Sequence, residues 1–380
     1  MRPWRRVALL SATATASYLC RVNVSVAGVL MMHELGLSEQ AMGRIFSAFL
    51  IGYAVCQIPG GMLADRFGAP RVLGWAALGW VAATGWIAGA GASVASLLGA
   101  RCALGVAEAP TFPAAAQAIS RWMPPAERGR ANGVVVAAIG LGSAIAPPLV
   151  SFLMVRWGWR AALVVSSLPA LAVGCAWMAI RERAAKDAIA APQASGRPRS
   201  RSFVLLTLSY SLQGYVGYIF VFWFYLYLVN VRHFDLLRGA LFASLPWLLS
   251  IVSIPLGGWL FDRTRGRRAI PMIGLAGSGV FIAFGAHTQH AYLAAICLAL
   301  ATALVLSVEG PFWATMTAIA GARSGAGGGV MNMGSNIGGL ISPALTPVLA
   351  ASIGWEAALM ISAALAVIAA LLWIGVRTPR

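Results

Sequence analysis

Apolar runs of membrane-spanning length recur along the whole chain, and the arginines gather in the gaps between them. A span needs about 20 apolar residues. On that rule the sequence predicts twelve helices, over 7–32, 40–64, 71–91, 94–120, 130–154, 160–180, 203–230, 238–261, 269–286, 291–320, 327–351 and 356–376. Soluble domains carry about 25% charged residues. This chain carries 10% and is 59% hydrophobic, so the expected fold class is an all-α integral membrane protein set in a lipid bilayer. The N-terminal run could pass for a signal peptide, but no small-residue cleavage site precedes a soluble domain and the run contains Arg21. It reads as the first span.

The net charge of +17 does not imply nucleic acid, because the basic residues form no foldable basic domain. With the N-terminus placed in the cytoplasm, 21 basic residues fall on the cytoplasmic side and five (Arg44, Arg156, Arg160, Arg232 and Arg238) on the other. Cytoplasmic loops are enriched in Lys and Arg. Both termini are therefore expected inside. Cys20, Cys56, Cys102, Cys175 and Cys297 all lie in apolar runs without metal-like or redox-like spacing, and read as small hydrophobes. His33, His233, His287 and His290 fall on the outer side, and no metal site is expected.

The two halves repeat. Ile58-Pro-Gly-Gly-Met-Leu-Ala-Asp65-Arg66 is echoed by Ile254-Pro-Leu-Gly-Gly-Trp-Leu-Phe-Asp262-Arg263, and Gly158-Trp-Arg-Ala-Ala-Leu by Gly354-Trp-Glu-Ala-Ala-Leu, both about 196 residues later. Two parallel six-helix halves joined by a central loop resemble the plan of the major facilitator fold, whose substrate site lies at the midplane between the halves. The expected organisation is an N-terminal bundle over 1–180, a flexible cytoplasmic loop over 181–202 and a C-terminal bundle over 203–380. Asp65, Arg66, Asp262 and Arg263 are candidates for a conformational latch at the cytoplasmic surface. A plain tight turn with positive-inside anchoring is the alternative.

Charges inside spans are the candidate chemistry. A charged side chain at the bilayer centre costs roughly 3 kcal/mol or more, so it faces a bundle interior or a water-filled cavity and commonly has a function. Arg101 and Glu108 share one helix face two turns, about 10 Å, apart. Arg21 stands in the first span with Tyr18 three residues before it on the same face. A guanidinium can fork onto a carboxylate through two charge-assisted bonds. Arg21 either pairs permanently with Glu108 or binds an anionic substrate. Two arginines against one acid leave a positive surplus, which favours an anion. Tyr53 and Gln57, four apart on the second span, offer a hydroxyl and an amide. Glu309 is the remaining acid within a span, and reads either as a second proton site or as a buried, hydrogen-bonded acid.

Tyr18-x-x-Arg21-x-Asn23-x-Ser25, Tyr53 before Gln57-Ile-Pro-Gly-Gly61, Arg101 with Glu108, Glu127-Arg-Gly-Arg-Ala-Asn-Gly133, and Asn332-Met-Gly-Ser-Asn336 through Pro343 together resemble the anion:cation symporter family. That family includes bacterial galactonate and glucarate permeases, sialin and the vesicular glutamate transporters. The resemblance implies proton-coupled carriage of an organic anion. It places the substrate carboxylate on Arg21, the proton on Glu108, and polar substrate contacts at Tyr18, Tyr53, Asn332 and Asn336. Cys20 departs from the sugar-acid members, which often carry an aspartate there, and Glu108 alone would then carry one proton.

The leading expectation is a bacterial inner-membrane symporter that imports a small organic anion by rocker-switch alternating access. It would need no cofactor beyond the proton gradient and act as a monomer. No nucleophile, base and oxyanion arrangement suggests an enzyme. The alternatives are an exporter or exchanger of organic anions or amphipathic compounds, and a ligand sensor that does not transport.

Overall fold

Helix ends follow local chemistry. In the computed structural model, which describes residues 3–90, 93–124, 127–180, 201–264, 268–320 and 324–377, no residue is in a strand. Helix α1 (Pro3–Leu35) is followed by α2 (Glu39–Phe67) and α3 (Ala69–Gly89). Ser38 caps α2 by accepting from Ala41 N at 3.2 Å. Such a cap satisfies one of the amides that a helix start leaves open. Helices α4 (Val94–Glu108), α5 (Thr111–Trp122) and α6 (Arg128–Ala179) complete the first half. The second half runs α7 (Arg201–Phe222), α8 (Phe224–Leu226), a π-helical turn (Tyr227–Val231), α9 (Leu236–Arg263), α10 (Ala269–His287), α11 (Ala291–Ser307), α12 (Glu309–Ala320) and α13 (Ser324–Leu372), ending in a 3₁₀ turn (Trp373–Gly375). The segment from 181 to 200, which holds nearly all of the expected central loop, lies outside the described residues, as do Arg2, Arg265, Arg267, Arg323 and Arg380.

Nine helical stretches among the described residues are long and apolar enough to cross a membrane. Three local effects separate that from the twelve spans expected. Gly158 (φ 78°) and Gly354 (φ 86°) are non-helical kinks at which two helices meet within α6 and α13, so each of these stretches holds two expected spans. Glycine reaches positive φ at no steric cost. The repeated Gly-Trp motif marks this bend in both halves. The expected span 94–120 is instead split at Ala109–Pro110 into helices of 15 and 12 residues. Proline lacks an N–H and its ring crowds the preceding turn, which breaks the ladder.

Other expected spans also differ. The run 291–320 breaks at Val308, just before Glu309-Gly-Pro311. The run 203–230 ends as regular helix at Phe222 and widens into the π turn. Arg232, beyond that turn, donates to Thr288 O (2.7 Å), Gly285 O (2.9 Å) and Ala286 O (3.0 Å), and to the Tyr227 hydroxyl (2.7 Å). It thereby caps the last turn of α10, where carbonyls lack helical partners.

The described residues form two compact units, 3–180 with 235–244, and 201–234 with 245–377. In the first, α1 and α3 pack along α6, and α2 along α4. The start of α9 belongs here, held by Ser151 donating to Leu236 O (2.8 Å) and Ser244 donating to Ala144 O (2.7 Å). Its core gathers Leu10, Leu73, Ala118, Ile119 and Trp177, with Trp177 donating to Thr13 Oγ1 at 2.8 Å and stacking on Trp122. In the second unit, α13 packs on α7 and α10, and α10 on α11. Small residues let membrane helices approach closely. A Cβ on Gly105 would fall against the Phe49 carbonyl and 2.8 Å from Tyr53 N, so α4 lies directly on α2 at that point. This contact brings the aromatic face of α2 to the charges of α4.

Candidate functional site

Arg21, Arg101 and Glu108 are buried in the first unit, at 2%, 0% and 0% exposure. Breaking α4 just after Glu108 sets the acid at a helix end facing α1. Arg21 reaches it across the interface, donating from Nε (3.0 Å) and Nη2 (2.5 Å), both to Oε1. The third donor, Nη1, goes to the Tyr18 hydroxyl at 3.1 Å. Glu108 Oε2 has no hydrogen-bond partner among the described residues. Ser17, beside the carboxylate, donates its hydroxyl to Ala14 O at 3.3 Å.

Aromatic rings enclose the cation. The Arg21 guanidinium carbon lies 4.3 Å from the Tyr18 ring centroid and 4.9 Å from those of Phe49 and Tyr53. Arg101 lies 5.1 Å from the Phe49 ring, so one ring serves both guanidiniums. Tyr53 stacks on Phe49 at 5.7 Å, and Phe112 meets Tyr18 edge-on at 6.3 Å. A desolvated cation over an aromatic face gains about 2 kcal/mol. Arg101 interacts electrostatically with both Glu108 and Arg21. Arginine stays protonated in proteins, so two cations and one anion leave this pocket positive when Glu108 is ionised.

The candidate residues thus fall into separate groups. Tyr18, Arg21, Tyr53, Arg101 and Glu108 come together, while Gln57 is half-buried one turn further along α2. Asn23, from the same motif, faces away and donates to Ser166 of α6 at 3.1 Å, tying α1 to α6. In the second unit, Asn332 is half-buried and Asn336 buried on α13. Glu309 accepts from Tyr210 Oη at Oε2 (2.8 Å) and from Gln213 Nε2 at Oε1 (3.1 Å). The exposed Asp65 accepts from Gln117 of α5. Arg66 lies over Phe67, and Arg263 over Trp259.

Phe49, Phe112 and Tyr210 escape the sequence reading. Phe49 is one turn before Tyr53 on the same face, and Tyr210 is three before Gln213, as Tyr18 is before Arg21. Those spacings were the available signal.

Comparison with known proteins places the chain in a family. Residues 10–335 match the Major Facilitator Superfamily. A probable sulfoacetate transporter of Cupriavidus necator is 34% identical, covering 93% of this chain and 89% of the relative. The hexuronate transporter of Bacillus subtilis is 27% identical, covering 93% and 90%. The crystal structure of a bacterial homolog of the human lysosomal transporter Spinster superposes with a TM-score of 0.85 at 19% identity, covering 100% of this chain and 98% of that one, which is a likeness of fold.

Proposed function

The chain belongs to the Major Facilitator Superfamily, a family of multi-pass membrane transporters and not of enzymes, and from that premise we propose that it imports a small organic anion together with protons. The buried Arg21–Glu108 pair, with Arg101 as a surplus cation, carries this reading. Arg21 directs two of its three donor groups at one carboxylate oxygen. An incoming carboxylate or sulfonate offers the same donors an equivalent acceptor. When it takes Arg21, Glu108 loses its main compensating charge in a dry site, and binding a proton becomes the favourable outcome. Anion binding and protonation of Glu108 therefore favour each other, with equal coupling in both directions. Release of the anion returns Glu108 to Arg21 and frees the proton.

The relatives named for sulfoacetate and hexuronate, both small acids, support an organic anion as the substrate class. The polar contacts implied for Tyr18, Tyr53, Gln57, Asn332 and Asn336 belong to the same proposal. So do the latch at Asp65, Arg66, Asp262 and Arg263, twelve spans in two bundles, cytoplasmic termini, a bacterial inner membrane and alternating access by a monomer. The proton gradient is the energy source.

Uptake of radiolabelled sulfoacetate and hexuronate into proteoliposomes, with and without an inward-directed proton gradient, tests the reading. Accumulation should require the gradient, vanish in Arg21→Ala, and in Glu108→Gln give way to exchange without accumulation. Accumulation by Glu108→Gln equal to the wild type would overturn it.

A further inference from the structure

The two halves carry corresponding three-residue constellations, a tyrosine, a polar side chain three residues on and an acid, displaced by about one helical turn. In the first unit Ser17-Tyr18-x-x-Arg21 of α1 meets Glu108-Ala-Pro110; in the second Ser209-Tyr210-x-x-Gln213 of α7 meets Glu309-Gly-Pro311. Each acid lies beside a helix break, and each tyrosine packs edge-on against the aromatic residue four positions after the acid. Those ring pairs are Tyr18–Phe112 at 6.3 Å and Tyr210–Trp313 at 6.4 Å.

Helix packing gives the displacement. Gly142 lies on Thr15, and Gly338 on Ser211, which aligns α1 with α7. On that alignment Tyr18 matches Gly214, so Tyr210 stands four residues earlier. Gly60 lies on Pro110, and Gly257 on Ser307, which aligns α4 with α11. On that alignment Glu108 matches Val305, so Glu309 stands four residues later. The helices run antiparallel, because Arg21 pairs with Glu108 while the earlier Tyr18 meets the later Phe112. Both shifts therefore go toward the same end of the unit, by about 6 Å. The constellation has moved as a group, a displacement hidden from any single repeat offset.

Two exchanges separate the groups. Gln213 stands where Arg21 would, and Thr302, seven residues before Glu309, stands where Arg101 would. Among the described residues no cation lies within salt-bridge distance of Glu309. The side chains acting on it are Tyr210 and Gln213 from α7 and Trp313 from its own helix, and Tyr218 acts in turn on Tyr210. No charged side chain of α9, α10, α11 or α13 acts on it.

We propose that Glu309, Tyr210 and Gln213 form a second proton site, in which Glu309 gains and loses a proton without exchanging a cationic partner. The tyrosine hydroxyl makes this possible, since it both donates and accepts. Ionised, Glu309 Oε2 accepts from Tyr210 Oη; protonated, it donates to the same oxygen along the same contact. Gln213 donates to Oε1 in either state. The Gln213 amide also reaches Val305 O at 3.3 Å, which holds it in place throughout. Glu108 differs because Arg21 stabilises only its ionised form. The site's protonation stands by itself; its consequence, one more proton moved per substrate, rests on the coupled-import reading above.

Infrared difference spectroscopy of the purified full chain, titrated with pH and with no substrate, tests the site independently of transport. Glu309→Gln should remove one carboxylic C=O band that appears and disappears across the titration, and Glu108→Gln should leave that band in place. Gln213→Arg should turn it into a permanent carboxylate band. Tyr210→Phe, which keeps the acid and nearly all the volume, should move its midpoint. A Glu309 that holds one protonation state throughout, or an unchanged midpoint in Tyr210→Phe, overturns the proposal. The proton-to-substrate ratio for sulfoacetate or hexuronate in proteoliposomes is the second arm. It should fall by one in Glu309→Gln; an unchanged ratio alongside a titrating band overturns the coupling role and retains the site.

Discussion

Glu108 and Glu309 each stand two residues before a proline at a helix break, each beneath a tyrosine and a longer polar side chain from the first helix of its unit. Around Glu108 the long side chain is a guanidinium, a second guanidinium is close, and Phe49 and Tyr53 line the cations. Around Glu309 it is a neutral amide. Cost explains why the difference matters. A buried ion pair is a poor source of net stability, yet removing one member leaves an uncompensated charge. The first group is therefore tied to a counter-ion, which on the proposed reading it gives up only to another anion. The second is tied to hydrogen bonds that survive protonation. On the proposals above, one half answers an anion and the other a proton.

The largest break in this comparison should come from Arg21→Ala. It strands Glu108 at 0% exposure, and losing one member of a buried pair costs about 3–5 kcal/mol. Thermal unfolding in detergent should show a marked loss, recovered in part by Arg21→Ala combined with Glu108→Gln, since the double variant strands no carboxylate, while the buried Arg101 loses the attraction of that acid. Absence of that recovery would mean that Arg21 acts through packing. Anion affinity should be lost in both variants, which separates the stability role from binding.

Phe49→Leu comes next. The ring faces both guanidiniums, and a desolvated cation–π contact is worth about 2 kcal/mol. Leucine keeps the site apolar and nearly filled, so the loss reports on the charged face more than on volume. Anion affinity should also shift as Arg21 becomes freer to reorient. A variant with unchanged stability would reduce Phe49 to filler between α2 and α4.

Much of this architecture is legible in the sequence. Apolar runs mark the helices, and the Gly-Trp motifs mark where α6 and α13 bend, because glycine alone reaches that φ without strain. Arg21, Glu108 and Glu309 stand out because charge in an apolar run is costly. What stays hidden is whatever carries no such cost. Phe49 is one apolar residue among many, and only its contacts distinguish it. Pro110 and Pro311 are visible, but Pro59, Pro169 and Pro343 also lie within spans and leave their helices intact, so proline alone does not locate a break. The second constellation is masked by its displacement: the repeat offset near 196 that aligns the glycine motifs sets Tyr18 opposite Gly214 and Glu108 near Leu304.

Gln213→Ala should be milder than Arg21→Ala. A neutral hydrogen bond contributes about 1 kcal/mol net, and Glu309 keeps Tyr210. The outcome that sharpens the comparison is the pairing: Gln213→Ala with Glu309→Gln should show no rescue, because no stranded full charge needs relief. A rescue as large as that expected for Arg21 and Glu108 would mean that Glu309 stays ionised and the two halves are electrostatically alike.

The smallest effect should come at the bends. The repeated motif carries Arg160 in one half and Glu356 in the other. Arg160 pairs with Glu34, which also accepts from Trp159 Nε1 at 2.6 Å; Glu356 pairs with His287, at 2.9 Å, with the two side chains 55% and 85% exposed. Exposed ion pairs contribute about 0–1 kcal/mol and weaken with salt. Glu356→Ala should therefore leave the unfolding temperature nearly unchanged. Glu34→Ala should cost more, since it also removes the acceptor of the buried Trp159, and most of that loss should persist at high salt. Equal effects for the two substitutions would show that the indole hydrogen bond adds nothing to the ion pair, and that the bends, unlike the two acids, are alike in both halves.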